Sequence, residues 1–546
     1  SLSEVWLWME FPFRDQFGGN DTGIDLVAKT HKGDYWAIQC KFFDENSTIS
    51  KGDVDSFLST SSRTFDDERG ILQRFNERLW VSTTNNWSSN AEEVIKNQEP
   101  PVARLNLQNL LDAPVDWGKI NQGLVGKEVR REKKSPRPHQ VTAIESAKEY
   151  FTEHDRGKLI MACGTGKTYT ALQIAEETTN NGLVLFLVPS IALLGQTLRE
   201  WSADARTDIN PIAICSDPKI TKQRKGNGTS SFSVVDLAFP ASTDPERILN
   251  QFDNFKARGG GGMTVVFSTY QSIDVIAEAQ KTLMDNGYPG FDLIVCDEAH
   301  RTTGVSVAGQ DESAFIKVHD NDFIKAKKRL YMTATPRLFS DEAKSTAAQE
   351  DATLCSMDDP ELYGDEIYRI GFGKAVEDGL LTDYKVLILT LNDQDVPPGL
   401  RNIIGGDEKE IKTDDLTKIV GTINALSKQF LGDSGNTKEN DPGPMKRGVA
   451  FCSNIATSKK ITETYNLTSE AYRDELPEEI KNKTVVVESQ HMDGSMSAPY
   501  RDQLLSWLKE DTEENDCRIL TNVRVLSEGV DVPSLDSVLF LSARNS

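Results

Sequence analysis

At 546 residues the chain exceeds what one ordinary core organises, and 38% hydrophobic residues suffice for several cores, so about two to four domains are expected. A net charge of −23 argues against indiscriminate binding of polyanions and leaves any nucleic-acid contact to local basic grooves. No run approaches the roughly 18 apolar residues of a membrane span and no signal-peptide pattern opens the chain, so a cytoplasmic protein without a membrane partner is expected; seven scattered cysteines with no C-x-x-C pair argue against zinc or a disulfide framework.

The chain opens on the aromatic stretch "VWLWMEF". Then "GIDLVAKTHKGDYWAIQCKFF" reads as two strands joined by a "HKGD" turn. Alternation places Gln39 and Lys41 on one face of the second strand, with Ile38, Cys40 and Phe42 on the other, and Asp25 near the start of the first strand opposite them. Phosphodiester hydrolysis needs a carboxylate on a metal, a second oxygen ligand and a cation near the attacking water or the developing charge. Asp25 supplies the carboxylate, Gln39 and the backbone carbonyl of Cys40 supply neutral oxygens, and Lys41 supplies the cation. A half-exposed strand with a polar face explains the same residues, and at this point both readings stand. Further on, "ISKGDVDSFLSTSS" reads as a helix and "RLWVSTTNNWSSNAEEVI" as a strand plus helix, where Ser82, Thr83 and Thr84 suit either phosphate contact or loop chemistry. The basic run "GKEVRREKKSPRPHQ" reads first as a solvated linker and second as a DNA groove.

From about residue 137, short β-branched runs alternate with helical stretches, the pattern of parallel α/β sheets. "KLIMA", "LVLFLVP", "IAICS", "TVVFS", "FDLIVCD" and "RLYMTAT" are the strands of one lobe, and "YKVLILTL", "RGVAFCS", "TVVVESQ", "RILTN" and "SVLFLS" those of a second. Within "MACGTGKTYT", Gly164, Thr165, Gly166, Lys167 and Thr168 fall at a strand-to-helix turn, the context of a phosphate loop, although Met161 stands where the simple pattern has its first glycine. Glycines let backbone N–H groups close around phosphate oxygens, Lys167 reaches the β and γ phosphates, and Thr168 ligates Mg²⁺. "FDLIVCDEAH" delivers Asp297 for the metal and Glu298 to polarise the attacking water, which defines an ATP site.

These motifs, with "RPHQ", "VPSIALLGQT", "FSTYQS", "TAT", "AFCSN" and "TNVRVLSEGVDVPSLDSV" in order, resemble the superfamily 2 helicases and translocases over residues 137–546. The resemblance implies that Gln140 reads adenine and that Thr333 and Thr335 couple hydrolysis to lobe movement. It further implies that Ser190 and Thr269 touch the DNA backbone and that Gly529 and Asp531 face ATP from the second lobe. The family's arginine-bearing helix is expected shortly after Ser546.

"GGNDTGIDLV…AIQCKFF" resembles the Mrr-like branch of the PD-(D/E)xK nucleases, in which glutamine stands in for the usual acid. The opening helix of that fold would precede Ser1, and Glu10 lies too near the first strand to replace its acid. The expected fold class is α/β: a PD-(D/E)xK nuclease-like domain (1–115), a linker (116–136), a RecA-like lobe (137–370), a connection (371–384) and a second RecA-like lobe (385–546). Together they resemble the type ISP restriction-modification enzymes. That implies ATP and Mg²⁺ as cofactors, double-stranded DNA as partner, and cleavage on meeting another copy of the enzyme on the same DNA. It also implies a methyltransferase using S-adenosylmethionine and a target-recognition domain beyond Ser546. A repair-type helicase-nuclease and a remodelling ATPase with an inert nuclease-like module are the alternatives.

Overall fold

The computed structural model describes residues 2–541 apart from 19–22, 32, 45–46, 85, 97, 112, 125, 216–236, 238–240, 258–260, 308–313, 343–351, 385, 389–395, 398–399, 401–412, 430–442, 495, 497, 514 and 524–534. The described residues form two compact units, one running up to Asp383 and the other from Tyr384 onward.

Among the described residues the first unit contains two large sheets, besides the short pairs Thr48–Ile49 with Asn86–Trp87 and Gly304–Val307 with Ala352–Cys355. Near the N-terminus, β1 (Leu2–Leu7), β2 (Leu26–Thr30), β3 (Tyr35–Lys41), β4 (Thr64–Asp66), β5 (Leu72–Ser82) and β6 (Val102–Leu105) make a six-stranded mixed sheet. Its order is β1-β2-β3-β5-β4, with β6 also on β5; β2 runs antiparallel to both β1 and β3, whereas β3, β5 and β6 run parallel. Helix α1 (Lys51–Ser61) lies between β3 and β5 in sequence and starts at a capping box, Ser50 and Asp53 each satisfying the other's backbone N–H. A second helix, α2 (Ser89–Ile95), is capped by Ser88. The core against this sheet is aromatic: Trp8, Phe11, Phe17, Tyr35, Phe65, Phe75 and Trp80 are buried, and Tyr35 meets Phe65 edge to face at 5.1 Å. Trp8 and Phe11 explain the aromatic opening of the chain. The strand before them, β1, is absent from the strands the sequence pattern picks out, because it contributes backbone pairing while Val5 and Leu7 stay more than half exposed (53% and 55%).

The second sheet is parallel throughout. Its strands are β7 (Arg156–Met161), β8 (Leu183–Val188), β9 (Ile209–Ile214), β10 (Met263–Thr269), β11 (Leu293–Cys296), β12 (Arg329–Thr333) and β13 (Asp365–Ile370), ordered β9-β10-β8-β11-β12-β7-β13. Every residue of β8 is buried; Val184, Phe186 and Val188 join one core while Leu183, Leu185 and Leu187 join another on the opposite face. That is why this strand reads as a continuous apolar run rather than an alternating one. Helices α3 (Pro138–Tyr150), α4 (Lys167–Thr179), α5 (Ile191–Asp204), α6 (Pro245–Ala257) and α7 (Ile273–Asp285) belong to this lobe. The preceding segment is more than a solvated linker. It holds a short helix at Trp117–Asn121, and its end is fastened to the lobe by Lys134 Nζ on Asp204 (2.9 Å), Tyr169 Oη donating to the Lys134 carbonyl (2.6 Å), and Lys133 on the Ala205 carbonyl.

In the second unit β14 (Arg447–Phe451), β15 (Val486–Met492), β16 (Asp516–Asn522) and β17 (Ser537–Phe540) form a parallel sheet in the order β15-β16-β14-β17. Helices α8 (Thr413–Leu426), α9 (Ile455–Asp474) and α10 (Ala498–Lys509) accompany it. The expected strand "YKVLILTL" is not seen in its described part: Tyr384 and Val386–Ile388 lie outside any strand, with Val386 73% and Ile388 90% exposed.

Candidate nuclease and ATP sites

Asp25 sits at the entry to β2, its N–H donating to the Ile38 carbonyl (2.9 Å) and its carbonyl accepting from Trp8 N–H (2.7 Å). The chain reaches this point through Gly23, where φ is +87° and a Cβ would lie 2.9 Å from Ser56 Oγ and 3.0 Å from Phe57 N. Only glycine fits so close to α1 in that conformation. The Asp25 carboxylate accepts the Cys40 N–H (2.6 Å) and a hydrogen from Gln39 Nε2, which also lies 3.3 Å from the Cys40 carbonyl. Three of the residues singled out from sequence are thus brought together. Gln39 shares its face with the buried Tyr35 and Ala37, and Lys41 follows at the end of β3, without an ion pair among the described residues. Burial, and then the charge of Asp25, push the Cys40 thiol up, so it remains a neutral thiol. Glu10 is exposed and has no part in this cluster.

Among the described residues no group of three His, Cys, Asp or Glu side chains is placed to hold a metal ion. The donor set here is different: one carboxylate, one backbone carbonyl and one carboxamide oxygen, all hard oxygen ligands. Gln39 Oε1 is buried and has no hydrogen-bond partner. An amide's orientation follows its hydrogen-bond partners. A half-turn of the Gln39 carboxamide would exchange the nitrogen facing Asp25 for this orphaned oxygen. These residues fit a divalent cation. The hydroxyls downstream do not join them: Thr83 both donates to the Phe43 carbonyl (2.7 Å) and accepts its N–H (2.8 Å), Thr84 donates to the Ser47 carbonyl (2.6 Å), and Ser82 to the Thr84 carbonyl (3.0 Å). Loop chemistry accounts for all three.

In the parallel lobe, β7 ends in the phosphate loop. Gly164 and Gly166 have φ of +82° and +86°, and α4 begins at Lys167 with no side chain capping its N-terminus. The backbone N–H groups of Gly164, Gly166, Lys167 and Thr168 have no acceptor among the described residues, the condition for an oxyanion to take them. Thr165 turns inward, its hydroxyl donating to the Ala162 carbonyl (2.7 Å). Gln140 is already engaged: its Oε1 accepts the Arg137 N–H (2.8 Å) while Nε2 reaches the carbonyls of Thr165 (3.4 Å) and Gly166 (3.3 Å). A Cβ at Gly166 would run into Gln140 Nε2, and one at Gly164 would lie 2.9 Å from Leu381 Cδ2. His139 adds a bond from Nε2 to the Thr165 carbonyl (2.9 Å). The loop is therefore braced from outside by α3 and by the segment after β13.

Asp297 and Glu298 emerge from β11, separated from β7 by β12, whose end carries Thr333. Burial and the neighbouring Glu298 charge push the Asp297 carboxyl up to about 7, against the pull of Lys167. Burial also acts to raise Glu298, but the His300 hydrogen bond and the Lys167 charge outweigh it and hold that carboxyl below its ordinary value. Glu298 adopts φ +48°, a left-handed turn costly for a side-chain-bearing residue. His300 Nδ1 lies 3.4 Å from Glu298 Oε2 and 3.0 Å from Thr333 Oγ1, and Thr333 Oγ1 accepts the Thr335 N–H (3.1 Å). A chain of contacts thus joins the two acidic residues to "TAT". His300 and His139 carry these connections, and the sequence reading missed both; their place inside the "DEAH" and "RPHQ" signatures was the available signal.

Ser190 caps α5 by accepting the Leu193 N–H (3.4 Å), and Thr269 is buried with its hydroxyl 3.3 Å from Ser272 Oγ. Gly529 and Asp531 lie outside the described residues.

Three family models match the chain in succession. They are a restriction endonuclease of the Mrr type over residues 1–126, the res subunit of type III restriction enzymes over 133–338, and the helicase conserved C-terminal domain over 449–546. The fold and these matches define an Mrr-type nuclease domain followed in one chain by helicase-type ATPase domains. More particularly, its fold and domain order are those of the type ISP restriction-modification enzymes: it is similar to the ATP-dependent enzyme LlaBIII bound to DNA, with TM-score 0.78 and 35% identity, covering 100% of this chain and 33% of that one. It is 28% identical over 258 residues to the type I restriction enzyme EcoAI endonuclease subunit of Escherichia coli, covering 46% of this chain and 24% of the relative. It is 25% identical over 411 residues to the probable helicase A859L of African swine fever virus, covering 75% of this chain and 38% of the relative. The chain spans a third or so of the length of these relatives (24% to 38%). No helix among the described residues is long and apolar enough to cross a membrane.

Proposed function

We propose that this chain is the nuclease-and-motor part of a restriction-modification enzyme, which hydrolyses ATP to move along double-stranded DNA and cuts it with the help of Mg²⁺. The observation that carries the reading is the Gln39 carboxamide, seated on Asp25 and the Cys40 carbonyl with its buried Oε1 unpartnered, in the same chain as a phosphate loop whose helix has no side-chain cap. At the nuclease site Asp25, the Cys40 carbonyl and, after a half-turn of its carboxamide, Gln39 Oε1 would hold the cation, and Lys41 would steady the attacking water or the charge that develops on phosphate. A Mg²⁺ bound there would supply charge neutralisation, and Thr168 and Asp297 are the residues that would hold one in the motor. At the ATP site the free N–H groups of the loop and Lys167 bind the phosphates, and Glu298, ionised by its neighbours, orients the water. Gln140 stands next to the loop, and reading adenine requires it to exchange its present carbonyl partners for the base. Ser190 and Thr269 touch the DNA backbone, Thr269 through its main chain because its hydroxyl is buried.

S-adenosylmethionine belongs to a methyltransferase beyond Ser546, and a second copy arriving on the same DNA triggers the cut. The working enzyme is placed in the cytoplasm, with foreign unmethylated DNA as its target. Asp25→Ala in the full-length protein tests the reading: cleavage should vanish while DNA-stimulated ATP hydrolysis persists. Cleavage that survives this change removes Asp25 from the site. Displacement of a triplex strand without unwinding of the duplex is the expected signature of translocation, and unwinding would favour a repair-type helicase instead.

A further inference from the structure

Tyr270 follows Thr269 at the end of β10, where the chain leaves the sheet in a single tight turn over Tyr270–Ser272. Its side chain is fully buried and spans the end of β8, the strand between β10 and β11, so that Oη donates to the Asp297 carbonyl (2.8 Å). The ring is stacked on Phe315, with centroids 5.0 Å apart, and the Cys296 thiol is a second neighbour of the hydroxyl. Burial holds the phenol well above its ordinary pKa, so it stays protonated and able to donate. Gln271, the next residue, ties the same turn to the chain just before Ser190 through Nε2 on the Pro189 carbonyl (3.3 Å).

A buried carbonyl needs a donor, and that alone would explain the Tyr270 bond. The place of this carbonyl says more. It belongs to the peptide plane between Asp297 and Glu298, whose opposite edge, the Glu298 N–H, donates to Asp297 Oδ1 (2.9 Å). A peptide is rigid, so bonds on both edges fix its rotation about the chain. That rotation sets where the next Cα projects its side chain, and the next residue is Glu298, at φ +48°. A side-chain-bearing residue stays in such a conformation only where its surroundings over-determine it. Tyr270 is the tie on this plane that comes from another strand.

We propose that Tyr270 is a positioning residue for ATP hydrolysis: through the Asp297–Glu298 peptide, its hydroxyl sets the direction in which Glu298 presents its carboxylate to the attacking water. This role rests on the motor reading of the chain. Because Tyr270 is covalently next to Thr269, the segment assigned to the DNA backbone and the residue assigned to the water share one stiff link.

Tyr270→Phe in the full-length protein keeps the ring and removes the hydroxyl. DNA-stimulated kcat should fall roughly tenfold, with KM for ATP and the binding stoichiometry of a fluorescent ATP analogue unchanged. The telling comparison is with Glu298→Gln, read in single turnovers. Since Tyr270 acts through Glu298, Tyr270→Phe should cost about twofold at most in that background. A tenfold loss in both backgrounds, or no loss in the parent, would overturn the proposal. Phe315→Leu loosens the ring and spares the hydroxyl; it should cost roughly threefold, again only while Glu298 is present, and it carries the test if Tyr270→Phe binds less than its share of nucleotide. A parent chain without DNA-stimulated turnover sinks the motor reading and this role together, whereas turnover that needs Lys167 but is indifferent to Tyr270 and Phe315 sinks this role alone.

Discussion

His300 Nδ1 stands 3.0 Å from the Thr333 hydroxyl, and the same nitrogen lies 3.4 Å from Glu298 Oε2. One imidazole therefore touches both the residue assigned to the hydrolytic water and the segment assigned to coupling. Any movement of Glu298 toward a γ-phosphate must alter its contact with His300 and hence the purchase on Thr333. Thr333→Val keeps the shape of this buried side chain and removes only the hydroxyl. DNA-stimulated ATP hydrolysis should fall roughly tenfold, with nucleotide affinity unchanged in a fluorescent-ATP titration. Undiminished stimulation would show that the contact carries no coupling.

Among the described residues the Lys167 Nζ makes no closer polar contact than 3.9 Å to Cys163 Sγ, so little in the described fold depends on it. Lys167→Ala should lower ATP hydrolysis by about a hundredfold or more and leave the unfolding midpoint in urea where it was. If turnover survived, the phosphate loop would have been misassigned.

Gln39→Glu would place a second carboxylate beside Asp25 in a buried position. Like charges so close disfavour ionisation of both, and the metal-free protein should lose roughly 1–3 kcal/mol of stability. Added Mg²⁺ should restore it, giving a larger metal-dependent rise in melting temperature than in the parent chain. Equal rises in both proteins would mean that no cation reaches this position.

His319 offers a pH test remote from either site. Its Nδ1 meets Tyr331 Oη at 2.9 Å and its Nε2 meets the Thr302 carbonyl at 3.2 Å, so the neutral ring is fully satisfied. Burial, with Arg156 and Arg329 adding to it, lowers its pKa from 6.5 to about 4. A histidine depressed in the folded state contributes stability that is complete above its unfolded pKa and is lost as pH falls through the folded value. The window is thus pH 6.5 down to about 4, and the loss is on the order of 3 kcal/mol. Urea midpoints across that range should drop for the parent chain and drop less for His319→Gln.

The elements legible in the sequence were those whose burial leaves a mark on residue type. β8 is apolar on both faces and could be read at sight, and the glycines of the phosphate loop are demanded by positive φ. Asp25, Gln39 and Cys40 also come together, because strand alternation and a short turn leave few other arrangements. Edge strands were not legible: β1 leaves its side chains exposed, and β13 ("DEIYRI") is half charged, so neither advertises itself by composition. "YKVLILTL" misled in the opposite way, since apolar residues there are exposed where the structure describes them. Nor could order along the chain reveal that Gln140 spends one end of its amide on the phosphate loop and the other on the Arg137 N–H, or that Thr83 closes onto Phe43.

The contacts between the nuclease domain and the first motor lobe have a mechanical meaning. Asn254 on Asp34 and Arg247 on Glu99, with Lys134 of the linker on Asp204, make the nuclease domain a passenger of the first motor lobe rather than a module swinging on a tether. A blade mounted on the chassis cuts where the vehicle stops. If the proposed motor reading holds, breaks should fall at a fixed offset from each halted motor, and the spread of cut positions would measure how well the halt itself is defined.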